Sequence, residues 1–427
     1  MAPRPSARSV ALALLVSVLD ERRFLEEALE AEHGLGTLEA RDRGFTLLLV
    51  RTTLRRLGQI DALIAHCLER PLSASAGSVR QALRLGIAQL LFLSTPAHAA
   101  VAESVALVRA SGQKGLLNAV LRRIAREGKA LAERQDAARL NTPTWLWHSW
   151  SKAYGESVAR GIAEAHLREA PLDITVKAEP ERWAERLDAR LLPTGGLRRS
   201  GGVPVASLPG YDEGAWWVQD AAAAIPARLF GEVSGQRVID LCAAPGGKTA
   251  QLAAAGARVT ALDIDPVRLV RLEVNLTRLG LRAETVCTDG RTWRPPEPAD
   301  AVLVDAPCSG TGAIRRHPDV QRLKRPADVA AMVNVQAALL AAAVEMIRPG
   351  GLVVFATCSL EPEEGPARTA ALLASGAPVE RAPIAGRELS GLDELITSEG
   401  DLRTLPCHLA ELGGLDGFYA VRLRRRR

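Results

Sequence analysis

Six cysteines occur in the chain, yet none forms a C-x-x-C pair and no histidine stands at metal-ligand spacing from them. That excludes the common zinc ribbons and fingers, so no metal is expected. The cysteines also lack the density of a disulfide framework, and free thiols fit a reducing cytoplasm. No apolar run reaches the ~18–20 residues a membrane span needs, and no membrane association is expected. The dinucleotide fingerprint G-x-G-x-x-G is absent, which removes the Rossmann dinucleotide reading. Lysine is scarce, supplying six of the 54 basic residues. At the N-terminus Arg4 and Arg8 precede the apolar run from Val10 to Leu19, an order that superficially resembles a signal peptide. Asp20-Glu21-Arg22-Arg23 follows where a small-residue cleavage site would be needed, so an amphipathic helix start is expected.

What is present suits a large globular protein. With 427 residues, 47% of them hydrophobic and 24% charged, the chain can bury two or three cores. The formal charge is +5, and positions 1–130 hold 18 basic against 12 acidic residues. A basic excess gathered in one region fits a nucleic-acid-binding module, and arginine is the better fork for phosphate.

Three textures follow one another along the chain. In residues 1–130, apolar residues recur at three and four spacing through Ala11–Leu19, Phe45–Leu57, Ile60–Leu68, Val79–Phe92 and Val101–Ala110, which predicts an all-helical bundle. The charged stretch from Gly128 to Asn141 reads as a linker. Residues 140–230 form a connecting α+β subdomain, in which Trp145, Trp147, Trp150, Trp183, Trp216 and Trp217 cluster. Core packing is the commoner role for such a cluster, and stacking on unpaired bases the alternative. From 231 to 427, strand-like runs (Val238–Leu241, Val259–Asp263, Thr285–Cys287, Ala301–Asp305, Leu352–Phe355, Gly417–Leu423) alternate with helical stretches. That alternation predicts a doubly wound, Rossmann-like α/β sheet.

The chemistry-bearing residues gather where strands end. Cys242-Ala243-Ala244-Pro245-Gly246-Gly247-Lys248 follows the first of these strands. Gly247-Lys248-Thr249 fits the end of a phosphate-cradling Walker loop, but Cys242 stands where its first glycine belongs. The alternative is a tight turn beside an adenosine-type ligand without a polyphosphate, with Asp263 about 20 residues on to grip ribose hydroxyls. Such a ligand is S-adenosyl-L-methionine. Asp289 closes the next strand and could meet its adenine, although Asp-Gly is also a plain turn signal. Asp305-Ala306-Pro307-Cys308 and Thr357-Cys358-Ser359 each end an apolar strand, which would bring both thiols to the carboxyl edge of a parallel sheet, where ligands bind. Their polar surroundings set them apart from Cys67 and Cys287, which read as core positions.

Together Cys242–Lys248, Asp263, Asp289, Asp305–Cys308, Arg315-Arg316-His317-Pro318-Asp319, Thr357–Ser359 and Asp416-Gly417-Phe418-Tyr419 resemble the ordered motifs of the RNA (cytosine-5) methyltransferases. The helical N-terminus, with Leu117-Asn118-Ala119-Val120-Leu121-Arg122-Arg123, is similar to a NusB-like RNA-binding domain. The combination resembles the RsmB-type bacterial 16S ribosomal-RNA methyltransferases over nearly the whole chain. One departure is Ile174-Thr175-Val176-Lys177, which stands where that family has an Arg-Val-Asn-like strand. The resemblance implies methyl transfer from S-adenosylmethionine to cytosine C5 in RNA, most naturally 16S ribosomal RNA with an unstacked target base, by a monomer. It implies Cys358 as nucleophile and Cys308 as the group assisting release. Asp305 is the candidate acid near ring N3 and a cofactor contact. The runner-up is an RNA-associated nucleotide hydrolase using the Gly-Lys-Thr triplet.

Overall fold

The apolar runs of the C-terminal half do form a sheet in the computed structural model, which describes residues 5–73 and 76–427. Arg4 lies outside the described residues. The strands are β1 (Leu172–Val176), β2 (Arg190–Leu191), β3 (Leu197–Arg199), β4 (Trp216–Val218), β5 (Arg237–Leu241), β6 (Arg258–Asp263), β7 (Glu284–Cys287), β8 (Ala299–Asp305), β9 (Ile347–Thr357), β10 (Val379–Arg381), β11 (Leu402–Thr404) and β12 (Phe418–Arg425). The main sheet has the order β10-β12-β9-β8-β5-β6-β7, with β11 paired to β12. β5 to β9 are parallel, and β12 runs antiparallel to β9. This is the expected Rossmann-like α/β fold.

Alternate side chains enter opposite cores, which is why these strands read as unbroken apolar runs. Val238, Leu303, Val354 and Ala420 face one side, while Ile239, Val302, Phe355 and Val421 face the other. Helix Pro326–Met346 packs on the second face through Leu339, Leu340, Ala343 and Met346. By length and hydropathy it could cross a membrane, but those side chains belong to the core, and Gln336 within it is buried and hydrogen-bonded. Cys287 departs from its expected core position and is exposed, because β7 is an edge strand.

The chain divides into two compact units, Met1–Arg168 with Ile314–Arg325, and Glu169–Ala313 with Pro326–Arg427. The first unit is helical, and its core is built on Leu14, Leu49, Leu83 and Leu121. The stretch read as a linker is helical instead, spanning the end of Ser111–Glu133 and then Ala137–Asn141. The polar residues that suggested a linker are the solvated face of a long amphipathic helix. Residues 140–168 also fold with this unit, because helices Thr144–Tyr154 and Glu156–His166 bury Trp147, Trp150 and Ile162. The α+β part of the expected connecting region is thus confined to the four-stranded sheet β2-β3-β1-β4. Trp183 and Trp216 fill its core, and Trp217 is also buried, so these rings serve packing rather than base stacking. Its departure residue Lys177 donates to the Leu279 carbonyl at 2.8 Å.

Segment Ile314–Arg325, which follows the Cys308 loop in sequence, belongs to the helical unit. Asp319 accepts from the Leu25 amide at 3.0 Å, Arg55 donates to the Arg315 carbonyl at 3.0 Å, and Leu323 joins the helical core. The motif Arg315–Asp319 therefore has a structural use in stitching this segment into the bundle.

Candidate active site

The carboxyl ends of β5, β6, β8 and β9 carry Cys242, Asp263, Asp305 and Cys358, as the strand pattern predicts. Parallel pairing sets Asp305 beside Ala356, two residues before Cys358. The Cys308 and Cys358 sulfurs are 3.3 Å apart, close enough for one thiol to donate to the other. Glycine makes this approach feasible. A Cβ at Gly312 would lie 1.9 Å from the Gly417 carbonyl oxygen and 2.9 Å from that of Cys358. The Gly312 amide instead donates to the Cys358 carbonyl at 3.0 Å, and the Gly417 amide donates to the Gly312 carbonyl at 2.8 Å. The Cys308 loop, the Cys358 loop and the start of β12 thus meet backbone to backbone.

The turn after β5 is built by left-handed residues, Cys242 (φ 60°) and Gly246 (φ 100°). It leads into helix Gly247–Ala254 and so puts Lys248 in the first helical turn. Buried Lys248 donates to Asp305 Oδ2 at 2.7 Å and lies over the Phe418 ring, 5.2 Å from its centre. Burial pulls the Lys248 ammonium down, but the Asp305 charge and hydrogen bond outweigh it, and the net shift is upward. The same ammonium interacts electrostatically with Cys358. Lysine in a glycine-rich turn reads as a ligand contact, and no local signal shows that it pairs with Asp305 and interacts with the thiol.

The remaining candidates are placed as follows. Asp263 is buried and accepts from the backbone amides of Ala244 (3.1 Å) and Asp265 (3.0 Å), tying β6 to the turn. Ala243 donates to the Leu262 carbonyl, and the Pro245 carbonyl accepts from Asn275. Asp289 is paired with Arg291, which meets its oxygens at 2.6–3.0 Å and, mainly through these hydrogen bonds, holds its carboxyl below the usual range. Burial pushes the Cys242 thiol up to about 12, so it serves as shape rather than as a nucleophile. The Cys308 thiol is held well above its usual range, first by the hydrogen bond with Cys358, then by burial and by the charges of Cys358 and Glu364.

Sequence reasoning missed three contributors. Ile264, directly after Asp263, is 66% exposed and offers an apolar face at this edge. Glu364 and Gln336 are buried behind the cysteine loops. An acid in Glu361-Pro362-Glu363-Glu364 reads as a solvated charge run, and nothing in the pattern distinguishes buried Glu361 and Glu364 from exposed Glu363. Among the described residues, no group of three or more His, Cys, Asp or Glu is arranged to hold a metal ion.

Comparison with known proteins identifies the family and the fold. Residues 228–424 match the family 16S rRNA methyltransferase RsmB/F, and residues 5–126 match the NusB family. Ribosomal RNA small subunit methyltransferase B of Pseudomonas syringae pv. tomato is 37% identical over 97% of this chain and 96% of that protein. The Escherichia coli protein of the same name is 34% identical, covering 94% and 98%. Two solved structures share the fold: PH0851 (TM-score 0.74, 21% identity, 99% of each chain) and NSun6 from Pyrococcus horikoshii with SFG (TM-score 0.57, 18% identity, 67% of this chain and 98% of that one). The chain belongs to the RsmB/F family of 16S rRNA methyltransferases, with a NusB-family segment at its N-terminal end.

Proposed function

We propose that this protein transfers a methyl group from S-adenosylmethionine to C5 of a cytosine in RNA, and that the RNA is 16S ribosomal RNA. The observation that carries the reading is the pair of thiols, 3.3 Å apart at the carboxyl ends of neighbouring parallel strands. Its relatives named above are small-subunit ribosomal RNA methyltransferases.

S-Adenosylmethionine supplies an electrophilic methyl group on a sulfonium. The donor set at this edge fits it. Beyond its two backbone partners and its 3.7 Å ion pair with Arg268, Asp263 would still offer an acceptor to ribose hydroxyls, while Asp289 would serve the adenine end and exposed Ile264 would pack on the ring. The turn Cys242–Gly247 brings backbone close. Lys248, the residue a polyphosphate would need, is held by Asp305. That pairing weighs against the nucleotide-hydrolase alternative.

Cytosine C5 is too weak a nucleophile to take a methyl group unaided. The Cys358 thiolate adds to C6, and the displaced π electrons make C5 able to attack the methyl group, dividing one hard step into two. The Lys248 ammonium interacts electrostatically with this sulfur. Asp305, one-third exposed at its side chain, is assigned to the N3 edge of the ring, where charge builds as the thiolate adds. After transfer the C5 proton leaves, the C5–C6 double bond reforms and Cys358 departs as thiolate. Cys308 assists this release. While Cys358 is a thiolate, their hydrogen bond keeps Cys308 protonated. Once Cys358 is bonded to carbon its share of that restraint is gone, and Cys308 can lose its proton to solvent and accept the one from C5. The target base must be unstacked for this chemistry, and arginine contacts to phosphate contribute affinity rather than base identity.

The test is transfer of labelled methyl to 16S RNA transcripts, with bisulfite mapping of cellular RNA with and without the protein. Formation of 5-methylcytosine at a defined 16S position is expected. Calorimetric binding of ATP in place of S-adenosylmethionine would overturn the reading.

A further inference from the structure

Behind the two thiols lies a carboxylate that the chemistry above does not use. Glu364, on the short turn Pro362–Glu364, is completely buried. The Ser309 amide donates to its Oε1 at 2.8 Å, and the Ser309 hydroxyl donates to its Oε2. The Ser359 hydroxyl donates to Oε2 at 2.6 Å, and Gln336 Nε2 donates to Oε1 at 3.0 Å. Ser309 directly follows Cys308 and Ser359 directly follows Cys358. Gln336 also donates to the Pro307 carbonyl at 2.9 Å, on the other side of Cys308. A single carboxylate thus holds both cysteine loops from behind and ties them to helix Pro326–Met346.

Four neutral donors around one buried charge would be an expensive arrangement for stability alone, since apolar replacements of similar shape do as well. What the arrangement provides is registry. The two loops end different strands; the Gly312–Cys358 backbone bond joins them farther along, and Glu364 joins them at the residues directly after the two cysteines.

We propose that Glu364 is a positioning residue that sets the separation of the Cys308 and Cys358 sulfurs by holding, on one carboxylate, the two loops that carry them. The proposal rests on the reading that these thiols carry the reaction. The titratable groups facing Cys308 are Cys358 at the end of β9 and Glu364 on its turn, and both raise its thiol. The helix behind contributes only the neutral Gln336. The charged surroundings also include the Lys248–Asp305 pair, with the Lys248 ammonium interacting with Cys358, and buried Arg403, which donates to the Ser359 carbonyl at 2.7 Å.

The test uses the full chain with Glu364→Gln, Ser359→Ala and the double variant, and reads thiol geometry directly. Diamide removes two electrons and two protons from a close thiol pair, leaving a disulfide and the reduced hydrazine. Mass spectrometry then follows Cys308–Cys358 bridging without RNA or methyl donor. Bridging should slow by about tenfold in Glu364→Gln and by roughly threefold in Ser359→Ala, since bringing two groups together loses rate steeply with sub-ångström misplacement. The double variant should be no slower than Glu364→Gln. Iodoacetamide labelling of Cys308 should begin at lower pH in Glu364→Gln, because the charge holding its proton is gone; a purely structural role would not produce that ordered shift. Methyl transfer should fall about 100-fold in kcat with unchanged S-adenosylmethionine affinity. Wild-type bridging and labelling in a folded Glu364→Gln would overturn the proposal. Should Glu364→Gln not fold, unchanged bridging in Ser359→Ala would do so. Altered bridging without any methyltransferase activity in the wild type would instead overturn the proposed function and leave the positioning role standing.

Discussion

The main sheet carries charged pairs at both edges, and the two edges are built differently. At the amino edge Arg348 meets Asp300 at 2.7 Å, and Arg237 pairs with Glu297; the arginines and Glu297 stand largely in water, with side-chain exposures of 54%, 42% and 70%. At the carboxyl edge Lys248, paired with Asp305, is 9% exposed, and Glu364 is completely buried. Similar ion pairs differ because water screens one set and is displaced from the other. Charge at the amino edge therefore adds little beyond solubility, whereas at the carboxyl edge it sets which groups hold protons. The chemistry sits where two of the charges, Lys248 and Glu364, are withdrawn from water.

The largest effect expected is at the thiols themselves. Cys358→Ala should abolish both methyl transfer and the covalent adduct. Cys308→Ala should instead accumulate a protein–RNA adduct, visible as a retarded band on denaturing gels with labelled RNA. Normal turnover by Cys308→Ala would end the assignment of release to that residue. Next comes Lys248→Met, which removes the cation facing Cys358 and leaves Asp305 unpaired. A loss of about 100-fold in kcat is expected, the scale seen when one preorganised electrostatic contact is deleted. Single-turnover methyl transfer measures it, and wild-type turnover by Lys248→Met would show that neither the cation nor its pairing with Asp305 takes part in the chemistry.

Asp240, on β5, extends the comparison to stability. Burial raises its carboxyl to about 7, against a donated bond from Thr249 at 2.6 Å. A carboxyl whose folded value lies above its unfolded value of 3.8 binds its proton more tightly when folded. Its contribution is complete below the unfolded value and is lost as pH rises through the folded one. Thermal melts of the wild type should therefore lose stability between about pH 4 and pH 7 through this group. Asp240→Asn, neutral throughout, should flatten that part of the curve. An unchanged slope would show that Asp240 is ionised in the fold.

Much of this carboxyl edge was legible beforehand, because unbroken apolar runs and the acids and thiols that end them are local signals. The strands ending at Leu241, Asp263, Cys287 and Asp305 fall where the apolar runs put them. The glycine-rich turn could be located but not interpreted, since whether Lys248 turns toward a ligand or toward Asp305 depends on a residue 57 positions away. Glu364 was illegible for the same reason: its partners Ser309 and Gln336 are 55 and 28 positions distant. The helical unit was read less well where polarity was taken for a break. Helix Ser111–Glu133 buries Leu117, Val120, Leu121, Ile124 and Gly128 and leaves the rest of its surface polar. Segment Ile314–Arg325 gave no sign that it would leave the sheet unit, because only tertiary partners such as the Leu25 amide hold it.

The smallest effect belongs to the amino edge, and it is the control that gives the others meaning. Arg348→Ala removes an arginine that is more than half exposed and leaves Asp300 with the Arg237 amide, which donates to it at 2.8 Å. Asp300 is held below the usual carboxylate range chiefly by its hydrogen bond to Arg348, so part of that depression should disappear. The stability change should stay under about 1 kcal/mol, because an exposed pair gains little over its two hydrated ions. It should shrink further in high salt, while kcat and the bridging rate of Cys308 with Cys358 stay at wild-type values. Chemical denaturation at low and high ionic strength measures the first, and the diamide assay the second. A kinetic defect in Arg348→Ala would mean that the two edges are coupled through β8 and β9, and that burial alone does not separate structural from chemical charge in this sheet.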